Sequence, residues 1–168
     1  GAMRSASQPG ADGPANLLAA AQVGLAASSR GRGVLVVIND EIHSAAKVRK
    51  VASVAMAAFA SPGDGCDGYL LEGKPVYRQP GAARSVLPLP INRGHTVALL
   101  EASLDADTGL LEALPKLGYA GLVVAGFGAG HVSASWAEAL QRIAEQIPVV
   151  IATRTGSGPT ATATYGFR

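Results

Sequence analysis

Gly121-Leu122-Val123-Val124-Ala125-Gly126-Phe127-Gly128-Ala129-Gly130-His131 is the stretch that decides the fold. Its first five residues are short, apolar and uncharged, the pattern of a strand buried on both faces of a parallel sheet. The glycines after it permit a tight turn into a helix. Working outward, residues 96–100 read as another strand, and residues 108–117 as a short helix opened by Asp107 or Thr108. Residues 133–147 form a helical pattern with Trp136, Leu140, Ile143 and Ile147 on one stripe, and residues 148–152 a third strand. Strand, helix, strand, helix, strand predicts a small Rossmann-like half-sheet of three parallel strands with flanking helices. The Thr- and Gly-rich tail, residues 153–168, offers no further element, so a domain that continues beyond it is expected.

The first half repeats part of this logic. Asp12 can cap a helix over residues 12–30, Pro14 suits its first turn, and Leu17, Ala21 and Leu25 recur on one face. Gly31 and Gly33 end it, and the unbroken apolar run 34–38 predicts a central parallel strand. A parallel sheet needs a strand before that helix, so the sequence is expected to begin inside a larger domain. Residues 39–59 then follow the strand's carboxyl end, where open α/β sheets place their sites. Residues 69–71 and 75–78 read as a hairpin across Glu72-Gly73-Lys74. Residues 79–94 carry three prolines without periodicity and read as a linker. The expected division is therefore 1–78, a linker 79–94, and 95–168, all of α/β class.

Composition excludes several functions. Hydrophobic residues make up 48% of the 168, charged residues 15% and aromatics 5%, a balance that suits small side chains packed in α/β layers. The net charge is +2 and the basic residues cluster only loosely, at Lys47, Arg49 and Lys50. Without a basic stripe and stacking aromatics, nucleic-acid binding is set aside. No apolar run reaches the roughly 18–20 residues that span a bilayer, so no membrane span is expected. The single cysteine, Cys66, rules out an intramolecular disulfide and a Cys-rich zinc site. Glu41 and His43 alternate and share a face, but no third ligand accompanies them, and His95 and His131 lie at no ligand spacing. No metal and no cofactor are expected.

Two features remain as candidates. Lys50 lies beyond the 34–38 strand, after Asn39 and Asp40, where a lysine in a partly dry cleft relays protons. The plainer alternative is a solvated lysine beside Lys47 and Arg49. The Gly126–Gly130 loop lets a ligand approach backbone N–H groups at a helix start. A dinucleotide fingerprint needs glycine where His131 stands and an acid about 20 residues on. The next strand ends instead in Ile151-Ala152-Thr153-Arg154. A nucleotide or cofactor site is thus weakly signalled, and Arg154 is its best phosphate partner. A carboxylate-binding or interface role stays open, with His131 as helix cap or ligand. Ser133 and Ser135 lack a G-x-S-x-G elbow and read as helix-start residues.

Three stretches together resemble the bacterial L-asparaginase family. They are Gly1-Ala2-Met3-Arg4 leading to Ala11-Asp12-Gly13-Pro14-Ala15-Asn16-Leu17, then Gly33 to Asp40 with Lys50 eleven residues after Asn39, and the Ala125–His131 loop with the tail to Tyr165-Gly166-Phe167. The resemblance implies hydrolysis of L-asparagine, with L-glutamine as a further candidate, to the acid and ammonia through a threonine nucleophile. No residue here corresponds to that threonine, so this polypeptide alone is expected to be inactive. The family's catalytic lysine falls on Lys50, its substrate-facing backbone carbonyl on Ala2, and a substrate-holding residue from a neighbouring subunit on His131. The family has asparagine or serine at that last position and threonine where Arg49 stands. Val51, Ala52 and Ala55 likewise replace polar residues. The resemblance also implies a homotetramer built as a dimer of dimers, in the cytoplasm with the periplasm kept open. A non-catalytic relative is the further alternative.

Overall fold

The structure is a computed structural model and describes residues 1–81, 86–91 and 94–164. It divides into two compact units, Gly1–Leu87 and Pro88–Arg168. Parts of the expected linker (82–85 and 92–93) and Tyr165, Gly166 and Phe167 lie outside the described residues.

In the first unit, helix α1 spans Gly13–Leu25 and ends in a single 3-10 turn, Ala27–Ser29. The helix is apolar nearly all round, so spacing alone does not choose its inner face. Leu17 and Leu25 were expected inside but stand 73% and 89% exposed, whereas Asn16, Ala19 and Val23 are buried. Small residues let the helix lie close on the sheet, and Asn16 is held inward by hydrogen bonds described below.

The run 34–38 is not a central parallel strand. Strand β1 (Leu35–Ile38) pairs antiparallel with β2 (Glu41–Ser44), Ile38 facing Glu41. The cause is local: Asn39 and Asp40 both take positive φ, 52° and 59°, the left-handed pair of a two-residue hairpin turn. Two further strands, β5 (Gly68–Leu71) and β6 (Lys74–Tyr77), form the expected hairpin, turned tightly at Glu72 and Gly73. The antiparallel sheet runs β1-β2-β5-β6. Between β2 and β5, two short strands, β3 (Arg49–Lys50) and β4 (Phe59–Ala60), make a separate ribbon. The core under α1 is small: Ala19, Val23, Val37 and Ile42, flanked by Leu35, Leu70 and Tyr77.

The second unit follows the expected order. Strands β7 (Val97–Glu101), β8 (Gly121–Gly126) and β9 (Val149–Thr153) form a parallel sheet in that sequence. Helix α2 (Gly109–Ala113) and helix α3 (Ala134–Ala144) supply its cover. Trp136, Leu140 and Ile143 of α3 are buried with Leu111, Leu114, Leu122 and Val124, and Ile147 packs at the edge. The indole N–H of Trp136 donates to the carbonyls of Ala106 and Asp107, which satisfies the one polar atom this large side chain brings inside. The molecule is thus α/β, with its parallel sheet in the second unit.

Candidate functional site

The opening segment is organised by two side chains whose roles the sequence concealed. Asp12 was read as a helix cap, and it does occupy that position, but its side chain makes no cap bond. Its carboxylate instead accepts the backbone N–H groups of Met3 (2.9 Å) and Arg4 (2.8 Å). Those donors, Arg4 first and Met3 second, hold its carboxyl below the usual aspartate range, with burial opposing them.

Asn16, one turn further along α1 and 5% exposed, donates to the Asp12 carboxylate and to the Gly1 carbonyl, each at 2.9 Å. Its side-chain oxygen accepts the Asn39 N–H, also at 2.9 Å. The pair therefore fixes residues 1–4 and ties them to the β1–β2 turn. Ala2 sits within this pinned segment, exposed, with its Cβ against Gly13. The i, i+4 spacing of Asp12 and Asn16 was the available signal.

Lys50 lies on the β3–β4 ribbon opposite Phe59, not at the carboxyl edge of a parallel strand. Its side chain is exposed, and among the described residues it has no hydrogen bond or ion pair. The ribbon is closed by the Val51 N–H donating to the Ala58 carbonyl at 2.7 Å. A cleft of about 570 Å³ in this unit is lined by Arg32, Lys47, Asp64, Cys66, Asp67 and Arg78 among others, and Lys50 does not line it. Its neighbour Lys47 is paired with Asp64 at 3.4 Å.

In the second unit the β8–α3 loop is closed on itself. Phe127 N–H donates to the His131 carbonyl (2.7 Å), and the Gly130 and His131 N–H groups donate to the Phe127 carbonyl (both 2.8 Å). A Cβ on Gly126 would stand 2.5 Å from the Gly130 carbonyl carbon, so glycine is required there by close backbone approach. His131 is half-buried, and its Nε2 lies 2.7 Å from the Thr164 hydroxyl. It does not cap α3. Ser133 does, accepting the Trp136 N–H.

Three of the loop's N–H groups therefore point back to carbonyls rather than outward to a phosphate. Arg154 is equally committed: it donates to the Ala102 carbonyl (3.1 Å), lies 3.8 Å from Glu101, and stacks 4.3 Å from the Phe127 ring centre. Its N–H also donates to the Gly126 carbonyl, and Thr153 donates through its hydroxyl to Gly128. Loop and tail brace one another, and the arrangement counts against a nucleotide cradle. Among the described residues, no group of three or more His, Cys, Asp or Glu side chains is placed to hold a metal ion. No helix among them is long and apolar enough to cross a membrane.

Residues 1–82 match the N-terminal domain of asparaginases, and residues 96–167 match the glutaminase/asparaginase C-terminal domain. The chain belongs to the asparaginase family. It is 36% identical to a probable periplasmic L-asparaginase of Haemophilus influenzae and 32% identical to L-asparaginase 2 of Escherichia coli, in each case over 99% of this chain and 51% of the relative. A crystal structure of a probable cytoplasmic L-asparaginase from Campylobacter jejuni superposes on 98% of this chain and 56% of its own, with a TM-score of 0.86 and 30% identity. The chain thus spans about half the length of these relatives.

Proposed function

We propose that this chain supplies the proton-relaying and substrate-holding portion of an L-asparaginase, which hydrolyses L-asparagine to L-aspartate and ammonia. The observation that carries the reading is the agreement of both units, in order, with the two asparaginase domains over nearly the whole chain. Lys50 is the proposed catalytic residue. Its free ammonium moves a proton within a relay whose attacking hydroxyl is that of a threonine. The Ala2 carbonyl, in the segment held by Asp12 and Asn16, accepts a hydrogen bond from the substrate amide. His131 holds the α-amino end of the substrate in a neighbouring subunit, its ring fixed by Thr164.

The proposal includes a homotetramer assembled from dimers that share sites, and a cytoplasmic location. Relatives bear both compartments in their names. The test is a chimera in which this chain replaces the matching half of the Escherichia coli relative. Ammonia release from L-asparagine, and its ratio to release from L-glutamine, reports activity and preference. Chimeras carrying Lys50→Ala and His131→Ala, inactive alone, are expected to regain activity when co-assembled, because a shared interface then yields sites with neither lesion. A folded chimera that releases no ammonia, or mutants that fail to complement in verified mixed tetramers, would overturn the reading.

A further inference from the structure

We infer that Glu41, His43 and Ser61 form a side-chain relay, centred on the buried His43 ring, that positions the ribbon bearing Lys50, an inference that rests on the proposed role of that lysine. Alternation along β2 places Ile42 in the core under α1 and turns Glu41 and His43 to the opposite face of the sheet. There the His43 ring is 1% exposed and Ser61 4% exposed. His43 Nδ1 lies 3.0 Å from the Ser61 hydroxyl. On its other side, Nε2 lies 3.3 Å from a carboxylate oxygen of Glu41, whose side chain is 43% exposed. That contact is close enough for an ion pair but is not aligned as a hydrogen bond, so Nε2 is a buried ring nitrogen whose polar neighbour is a carboxylate.

The chemistry of the two neighbours favours one tautomer. A carboxylate only accepts, so the proton belongs on Nε2, and Nδ1 then accepts from the Ser61 hydroxyl. Ser61 follows β4 directly, and in the β3–β4 ribbon Ala60 pairs with Arg49 and Phe59 with Lys50. The Ser61 carbonyl also takes the N–H groups of Asp64 and Gly65, closing the turn beyond it. The Ser61 hydroxyl is therefore committed to the four-stranded sheet through His43 and its carbonyl to the turn at Asp64 and Gly65, while the peptide bond to Ala60 joins it to the ribbon. At 4% exposure its hydroxyl is not reachable by a substrate, so these are positioning residues rather than a second nucleophilic centre.

A buried imidazole kept this way is costly unless its partners are in place, since an orphaned polar atom forfeits its hydration. The ribbon has only a two-residue ladder of its own, too little to define where its lysine stands.

The experiment is nitrogen-15 spectroscopy of the full 168-residue chain, in which His43 is one of three histidines. Wild type is expected to show the Nε2–H tautomer at His43. Glu41→Gln, a change at a half-exposed site, is expected to shift it toward Nδ1–H, because the new amide donates to Nε2. Ser61→Ala is expected to speed exchange of the Val51 amide about tenfold while amides of the β5–β6 hairpin keep their rates, and Ser61→Thr to restore it. Lys50→Ala should leave all of these signatures in place, so failure of the amidohydrolase reading is seen separately, in the chimera. An Nδ1–H tautomer in wild type, no tautomer change in Glu41→Gln, or equal Val51 exchange in the Ala and Thr variants would each overturn the relay.

Discussion

Asn16→Ala is the substitution whose consequence follows most directly from the structure. The amide makes three hydrogen bonds, to Gly1, to Asp12 and from Asn39. The Asp12 bond is to a solvated carboxylate and is left out of the sum. The other two are neutral and together contribute about 2 kcal/mol at about 1 kcal/mol each, which corresponds to a roughly 30-fold change in the opening equilibrium. The change also removes the acceptor of the Asn39 N–H at the β1–β2 turn, so the loss should concentrate there and at residues 1–4 rather than spread over the sheet. Amide exchange followed by NMR reads both places. The expected result is faster exchange of Met3, Arg4 and Asn39 by about that factor, with the β5–β6 hairpin little changed. Asn16→Asp should not rescue, because it sets a second carboxylate beside Asp12. A change below about 0.5 kcal/mol, or one uniform over the unit, would refute the reasoning, since it falls within the range of an ordinary surface substitution.

Other consequences are as definite. The lowered pKa of Asp12 means its contribution to stability is fully present above the unfolded value near 3.8 and is lost as pH falls through the lower folded value. The urea midpoint of the first unit should therefore drop between pH 5 and pH 3 by more in wild type than in Asp12→Asn, on the order of these values. Gly126→Ala drives a Cβ into the Gly130 backbone at 2.5 Å, and His131 should lose its contact with Thr164, seen as a changed His131 ring signal. Leu140→Ala, at 6% exposure in the core beside Trp136, should cost about 2–5 kcal/mol in denaturation followed by the fluorescence of the single tryptophan.

The second unit was legible because its signals agree. Apolar runs of strand length alternate with a strongly one-sided helix, and Trp136, Leu140 and Ile143 are buried as their spacing implies. The first unit was harder for two physical reasons. The run from Leu35 to Ile38 reads alike for a central parallel strand and for one arm of a hairpin, and what decides is Asn39-Asp40, two residues able to take positive φ. Helix α1 is apolar on several faces, so the polar Asn16, not a leucine stripe, marks its inner side. Site residues fared differently. The family resemblance brought Lys50 to notice, but not its place on a two-residue ribbon, and Ser61 lies 18 residues from His43, beyond the reach of any local pattern.

The central claim is that the ammonium of Lys50 relays a proton in amide hydrolysis. It is tested most directly by the rate of ammonia release from L-asparagine in the chimera carrying Lys50 or Lys50→Arg at saturating substrate. The arginine keeps the positive charge but does not give up its proton. Loss of turnover by about a hundredfold or more, with the tetramer intact and product still bound, is the predicted result. Equal turnover in the two proteins would contradict it.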